Sequence, residues 1–114
     1  MSTEDVLEHH LDAFANQDIE AVMEDYGEES IVITNTGTNR GLDEIEGLFE
    51  ELFADFSQPG SEITVDRQVV EDDLAYIVWH GETPDNDYEF ATDTFIIHDG
   101  IIVQQTFAGD ITPK

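Results

Sequence analysis

The chain has 114 residues, 28 of them Asp or Glu and only 3 Lys or Arg, for a formal charge of −25. Arg40, Arg67 and Lys114 are its whole stock of permanent cations, so nucleic acid is excluded as a partner and an anionic membrane surface would repel it. Without cysteine there is no disulfide, zinc–thiolate site or thiol nucleophile.

The length fits one domain, and 39% apolar residues suffice for one core. No apolar run nears the ~18 residues of a membrane-spanning helix. Met1-Ser2-Thr3-Glu4-Asp5 has neither a cationic start nor an apolar signal core, which predicts a cytoplasmic protein. The acids are spread along the chain, the pattern expected of a halophilic protein whose self-repulsion is screened by molar salt. The other reading is an acidic surface for cations or a basic partner. Against it, Asp85-Asn86-Asp87 lacks the glycine and bidentate glutamate of a calcium loop.

In chain order, residues 3–16 read as a helix capped by Ser2 or Thr3, with Val6, His10, Ala13 and Phe14 on one face beside Leu7 and Leu11. Asp18 caps a short second helix with a stripe of Ile19, Val22, Met23 and Tyr26, stopped by Gly27. Ser30–Thr34 is a short β-branched strand, and Thr36-Gly37-Thr38-Asn39 reads as a loop. Residues 42–56 give the clearest helix, with Leu42, Ile45, Leu48, Phe49, Leu52, Phe53 and Phe56 at helical spacing and Pro59-Gly60 beyond it. Four strands follow, over 61–70, 74–82, 88–97 and 101–108, separated by turns at 71–73, 83–87 and 98–100. The expectation is one α+β domain spanning 1–114, with its core over 3–108 and a loose tail at 109–114.

This order, α-α-β-α-β-β-β-β, resembles the nuclear transport factor two-like superfamily, in which a curved mixed or antiparallel sheet wraps as a cone round three helices from the N-terminal half. Phe14-Ala15-Asn16-Gln17-Asp18-Ile19 is similar to the joint between that superfamily's first two helices. Tyr26-Gly27-Glu28-Glu29-Ser30 resembles its acidic turn into the first strand, and Gly41-Leu42-Asp43-Glu44-Ile45 the start of its third helix. The groups most resembled are the SnoaL-like polyketide cyclases and the ketosteroid isomerases. The superfamily also holds epoxide hydrolases, dehydratases and non-catalytic binders, so the resemblance implies the fold and leaves the activity open.

Strand alternation sorts the later residues onto two faces. Ala75, Ile77, Trp79, Ala91, Asp93, Phe95, Val103, Gln105 and Phe107 share the face expected beneath the helices. Tyr76, Val78, His80, Tyr88, Phe90, Thr92, Thr94, Ile102, Gln104 and Thr106 share the other. The resemblance implies that this second face pairs with its copy, giving a homodimer through Tyr76, His80, Phe90, Thr92 and Gln104; alternatively it is an exposed sheet face.

Asp93 is the candidate centre, because a lone carboxylate between Ala91 and Phe95 on an apolar face is costly to ionise. By resemblance it would stand where the isomerases carry a protonated strand acid that donates to an oxyanion, or where the cyclases carry an acid/base. The isomerases' general base would fall near Thr34, which cannot abstract a proton at neutral pH, and their oxyanion tyrosine at His10. A His10–Asp93 acid/base pair is one reading. The others are a hydrogen-bonded core His10 and a structural Asp93 tied to Tyr26, His10 or a backbone amide. Tyr26, Trp79, Gln105, Phe107 and Phe53 are the candidate substrate contacts, and Arg67 either forms a structural ion pair or binds a substrate carboxylate. No cofactor or metal is expected: His9 and His10 project roughly 100° apart on a helix, and His80 and His98 lie at strand ends without paired ligands. The ligand would be a small apolar molecule. Two functions are open, a cofactor-independent isomerase or cyclase acting by proton transfer on an apolar carbonyl-bearing substrate, and a non-catalytic ligand-binding or dimerisation module.

Overall fold

The computed structural model describes residues 2–114. Its elements are α1 (Thr3–Ala15), α2 (Ile19–Met23), β1 (Ile31–Thr34), β2 (Gly37–Arg40), α3 (Gly41–Phe56), β3 (Glu62–Glu71), β4 (Leu74–Glu82), β5 (Asn86–His98) and β6 (Ile101–Pro113). Each helix starts on a local device. The Ser2 hydroxyl accepts from the Asp5 amide at 3.1 Å while the Asp5 carboxylate accepts from the Ser2 amide, closing a capping box. Asp18 accepts from the Ala21 amide at the head of α2. Gly41 opens α3 at φ +81°, a conformation suited to glycine, and the Glu44 carboxylate accepts from the Arg40 amide.

The strands form one open six-stranded sheet in the order β2-β1-β6-β5-β4-β3. All neighbours are antiparallel except β1 and β6, which run parallel, so the sheet is mixed and the class is α+β as expected. The helices bury Val6, Leu7, Ala13, Val22, Ile45, Phe49, Phe53 and Phe56 against Ala75, Ile77, Trp79, Ala91, Phe95 and Ile97. Among the described residues, no helix is long and apolar enough to cross a membrane.

Several expectations are corrected. The segment read as a loop at 36–39 contributes β2, because Gly37–Arg40 pairs with Ile31–Thr34 in a hairpin. The tail is not loose: β6 runs on to Pro113, with Ile111, Thr112 and Pro113 opposite Tyr88, Asp87 and Asn86. Two bulges reassign side chains. One between Tyr88 and Phe90 turns Tyr88 inward, where its ring stacks on Trp79 at 5.7 Å, and another between Ile96 and Ile97 accompanies burial of Ile102 while Val103 is only half-buried. Arg67 forms no ion pair among the described residues. It sits on the edge strand β3 directly beyond a register shift, exposed to solvent.

Candidate functional site

Between α1, α3 and the concave sheet face lies a cavity of about 370 Å³, in the ~300–1,000 Å³ range of small-molecule sites. Leu11, Phe14, Phe49, Ile77, Phe95 and Phe107 supply apolar wall, and Thr34, Asn35 and Thr36 of the β1–β2 hairpin also contribute. Gly109, whose added Cβ would lie 2.9 Å from the Phe107 ring, keeps room for that ring beside the cavity.

Asp93 lines this cavity and is only 8% exposed. It lies opposite Ile77 on β4 and Phe107 on β6. Its polar partners come from the diagonal positions two residues along each neighbouring strand. Trp79 Nε1–H donates to Oδ2 at 2.8 Å, and the Gln105 amide Nε2–H donates to Oδ1 at 2.9 Å. The Tyr26 hydroxyl in turn donates to Gln105 Oε1, which fixes the amide with its NH₂ toward the carboxylate. The result is a buried chain running from Tyr26 through Gln105 to Asp93 and closed by Trp79.

These contacts pull the acidity of Asp93 in opposite senses. Burial raises its pKa above the ordinary carboxylate value, while the Trp79 and Gln105 donors and the nearby His10 act to lower it, leaving a net upward displacement. Tyr26 is pushed well above the usual phenol range, first by burial and then by the charges of Asp93 and Asp25, so it acts as a neutral donor.

The structure thus brings Asp93, His10, Trp79, Gln105 and Phe107 onto one cavity. Tyr26 does not line it and stands one hydrogen bond behind Gln105. Phe53 also lies outside it, packing on Phe14 at 5.1 Å and Phe49 at 6.2 Å. The expected partners of Asp93 are corrected, since neither His10, Tyr26 nor a backbone amide bonds it directly. His10 is wedged edge-on among Tyr26, Phe49 and Phe95, at centroid distances of 6.0, 5.7 and 5.4 Å. The position compared with the isomerase base, Thr34, uses its hydroxyl to accept from the Thr36 and Gly37 amides within the hairpin.

Sequence reasoning missed Asp25. This buried carboxylate holds His9 Nδ1 at 2.8 Å and stands 3.7 Å from His10 Nδ1. Its signal was available: Asp25 falls three residues after Val22, on the buried line of the α2 stripe. Also missed was Asp55 near the end of α3, which accepts from Tyr88, Thr83, Asn86 and Gln58 and latches that helix to the β4–β5 turn. Among the described residues, no group of three or more carboxylates and imidazoles is placed to hold a metal ion.

No curated protein matches the sequence. Solved structures do match. A protein of unknown function from Mesorhizobium loti, described as like nuclear transport factor two, has a TM-score of 0.82 at 20% identity, over 95% of this chain and 90% of its own. A Kribbella flavida protein provisionally named a ketosteroid isomerase has a TM-score of 0.78 at 14% identity, over 95% and 77%. An epoxide hydrolase of M. tuberculosis has a TM-score of 0.73 at 16% identity, over 95% and 82%. At these identities the likeness establishes the fold. The family model described as the SnoaL-like domain matches residues 7–105, which takes in most of α1, all of α2, Asp93 and Gln105, and the chain accordingly belongs to the SnoaL-like domain family.

Proposed function

We propose that this chain is a cofactor-independent enzyme of isomerase or cyclase type, acting by proton transfer on a small apolar carbonyl-bearing molecule. The observation that carries the reading is Asp93, a carboxylate on a mostly apolar cavity with both oxygens held by fixed donors and, among the described residues, no Lys or Arg in the lining. Burial opposes its charged form and the donors favour it, which suits a group that must both take and return a proton. In this reading Asp93 is the acid/base and His10 its partner on the same cavity. Trp79 and Phe107 hold the apolar skeleton, Gln105 orients Asp93, Tyr26 fixes Gln105, and Phe53 backs the aromatic wall. The donors point into the carboxylate, which favours a base role over the oxyanion-donor role implied by the isomerase resemblance.

The test is α-proton exchange in D₂O, followed by NMR over a panel of cyclic ketones and 1,3-dicarbonyl compounds. Wild type should catalyse exchange of at least one compound, and Asp93→Asn should lose about 100-fold or more of that rate. Compounds that bind without exchanging would overturn it in favour of a second reading, a non-catalytic ligand-binding module. That reading draws on the protein donors already occupying both Asp93 oxygens and on the hydroxyl of Thr34 in place of a base.

We also propose a homodimer through the convex sheet face, with Tyr76, His80, Phe90, Thr92 and Gln104 at its centre. Phe90, 56% exposed, supports this, because a large apolar ring standing in water on a sheet face suits an interface. Halophilic origin and a cytoplasmic location remain part of the same proposal, supported by the acidic composition.

A further inference from the structure

His10 Nδ1 is, among the described residues, the one buried side-chain nitrogen or oxygen without a hydrogen-bond partner. It is not placed at random. The ring lines the cavity, three aromatic rings fix its plane, and Nδ1 faces the Asp25 carboxylate 3.7 Å away, too far for a hydrogen bond. Asp25 is itself anchored from two sides. His9 Nδ1 lies 2.8 and 3.0 Å from its two oxygens, and its backbone carbonyl accepts from the Ile102 amide at 2.7 Å.

A neutral imidazole carries one N–H and one lone pair, and the hydrogen bonds or charges around it decide which nitrogen has which. A lone pair on Nδ1 would face carboxylate oxygens, which are themselves electron-rich, whereas an N–H there is attracted to them. We infer that Asp25 is a positioning residue that holds the His10 proton on Nδ1, so that His10 offers the cavity an acceptor nitrogen, Nε2. Asp93 is also an acceptor, since its two fixed contacts are both donors. The two polar groups at this cavity with charge or proton-transfer capacity therefore ask the same thing of a ligand. They select a molecule that carries a donor besides any carbonyl, such as the enol tautomer of a carbonyl compound or a phenolic or alcoholic hydroxyl on an apolar skeleton.

The inference rests on the cavity of the proposed function being the ligand site but not on turnover, so its test is made on the protein without substrate. Ring ¹⁵N resonances of His10, recorded at mildly alkaline pH, should show Nδ1 protonated and Nε2 bare. Asp25→Asn should shift that population toward the Nε2–H form. A wild-type ring protonated on Nε2 alone or on both nitrogens overturns the inference, as does a ring unchanged by Asp25→Asn. The wild-type spectrum decides the matter even if the variant does not fold. For the ligand class, the probes are 2-naphthol and 2-methoxynaphthalene, which share a skeleton and differ in the donor. Wild type should bind the naphthol at least about 10-fold more tightly, with that margin reduced in His10→Phe. Equal affinities, or a margin untouched by His10→Phe, overturn the selection of donors.

Discussion

Gln105→Leu isolates one half of the support of Asp93 while leaving an internal reporter in place. Trp79 is the only tryptophan, and its indole N–H donates to Asp93 at 2.8 Å, so a single ¹H–¹⁵N resonance reads the charge of that carboxylate. The substitution removes the amide that donates to Oδ1 at 2.9 Å and keeps a side chain of similar length. A hydrogen bond to a charged group contributes about 1.5–3 kcal/mol, and one pKa unit corresponds to about 1.4 kcal/mol. Loss of a donor to the charged form should therefore raise the midpoint of the indole titration by about 1–2 pH units. The sign follows from burial: with one donor gone, desolvation is less opposed. The accompanying loss of stability should be about 1–3 kcal/mol in urea, because the Tyr26 hydroxyl is left buried without its acceptor. A midpoint that stays put or falls would refute the view that Gln105 holds the carboxylate charge.

Asp55→Ala should lower stability by about 2 kcal/mol in urea unfolding, a figure discounted for the partial exposure of the latch. Burial acts to raise the Asp55 pKa, but the four donors together outweigh it and the group is held below its ordinary value. Its contribution is thus present above the unfolded-state value of ~3.9 and lost as pH falls through the folded one, so the deficit of the variant should shrink in acid. Phe90→Asp should shift the sedimentation of the protein to that of a monomer, and a wild type that already sediments as a monomer would end the dimer proposal. Thermal stability should rise steadily with added potassium chloride from low to molar salt, since a charge of −25 repels itself. Equal stability without salt would remove the halophilic reading.

The architecture was legible because two periods are written plainly in the chain. The 3.6-residue stripe of α3 and the alternation of β4 and β5 both follow from burial of one face, and burial is what sequence records best. Asp93 stood out by the same logic, as a carboxylate in an apolar register. Its partners did not, because they depend on which residues of adjacent strands lie on the diagonal. A bulge inserts one residue without any compositional mark, which is why alternation alone assigns Tyr88 and Ile102 to the wrong face. The β2 strand was hidden for a different reason. Gly37-Thr38-Asn39 has the composition of a turn, and only its pairing with β1 at the sheet edge makes it extended.

Ile111 forms part of the cavity wall and is held there by its pairing with Tyr88, next to a bulge. A slip of one residue in that register would bring Asp110 or Thr112 to the wall in place of Ile111 and turn an apolar rim polar. Asp93 sits further along the sheet, opposite Phe107, so a slip that left Tyr88 stacked on Trp79 and bonded to Asp55 of α3 would not reach it. The cavity wall at Ile111 and the support of Asp93 by Gln105 are therefore written into separate stretches of β6. Insertions near residue 111 would thus change the cavity rim while leaving the hydrogen-bonded chain from Tyr26 to Trp79 as it is, provided Tyr88 keeps its place.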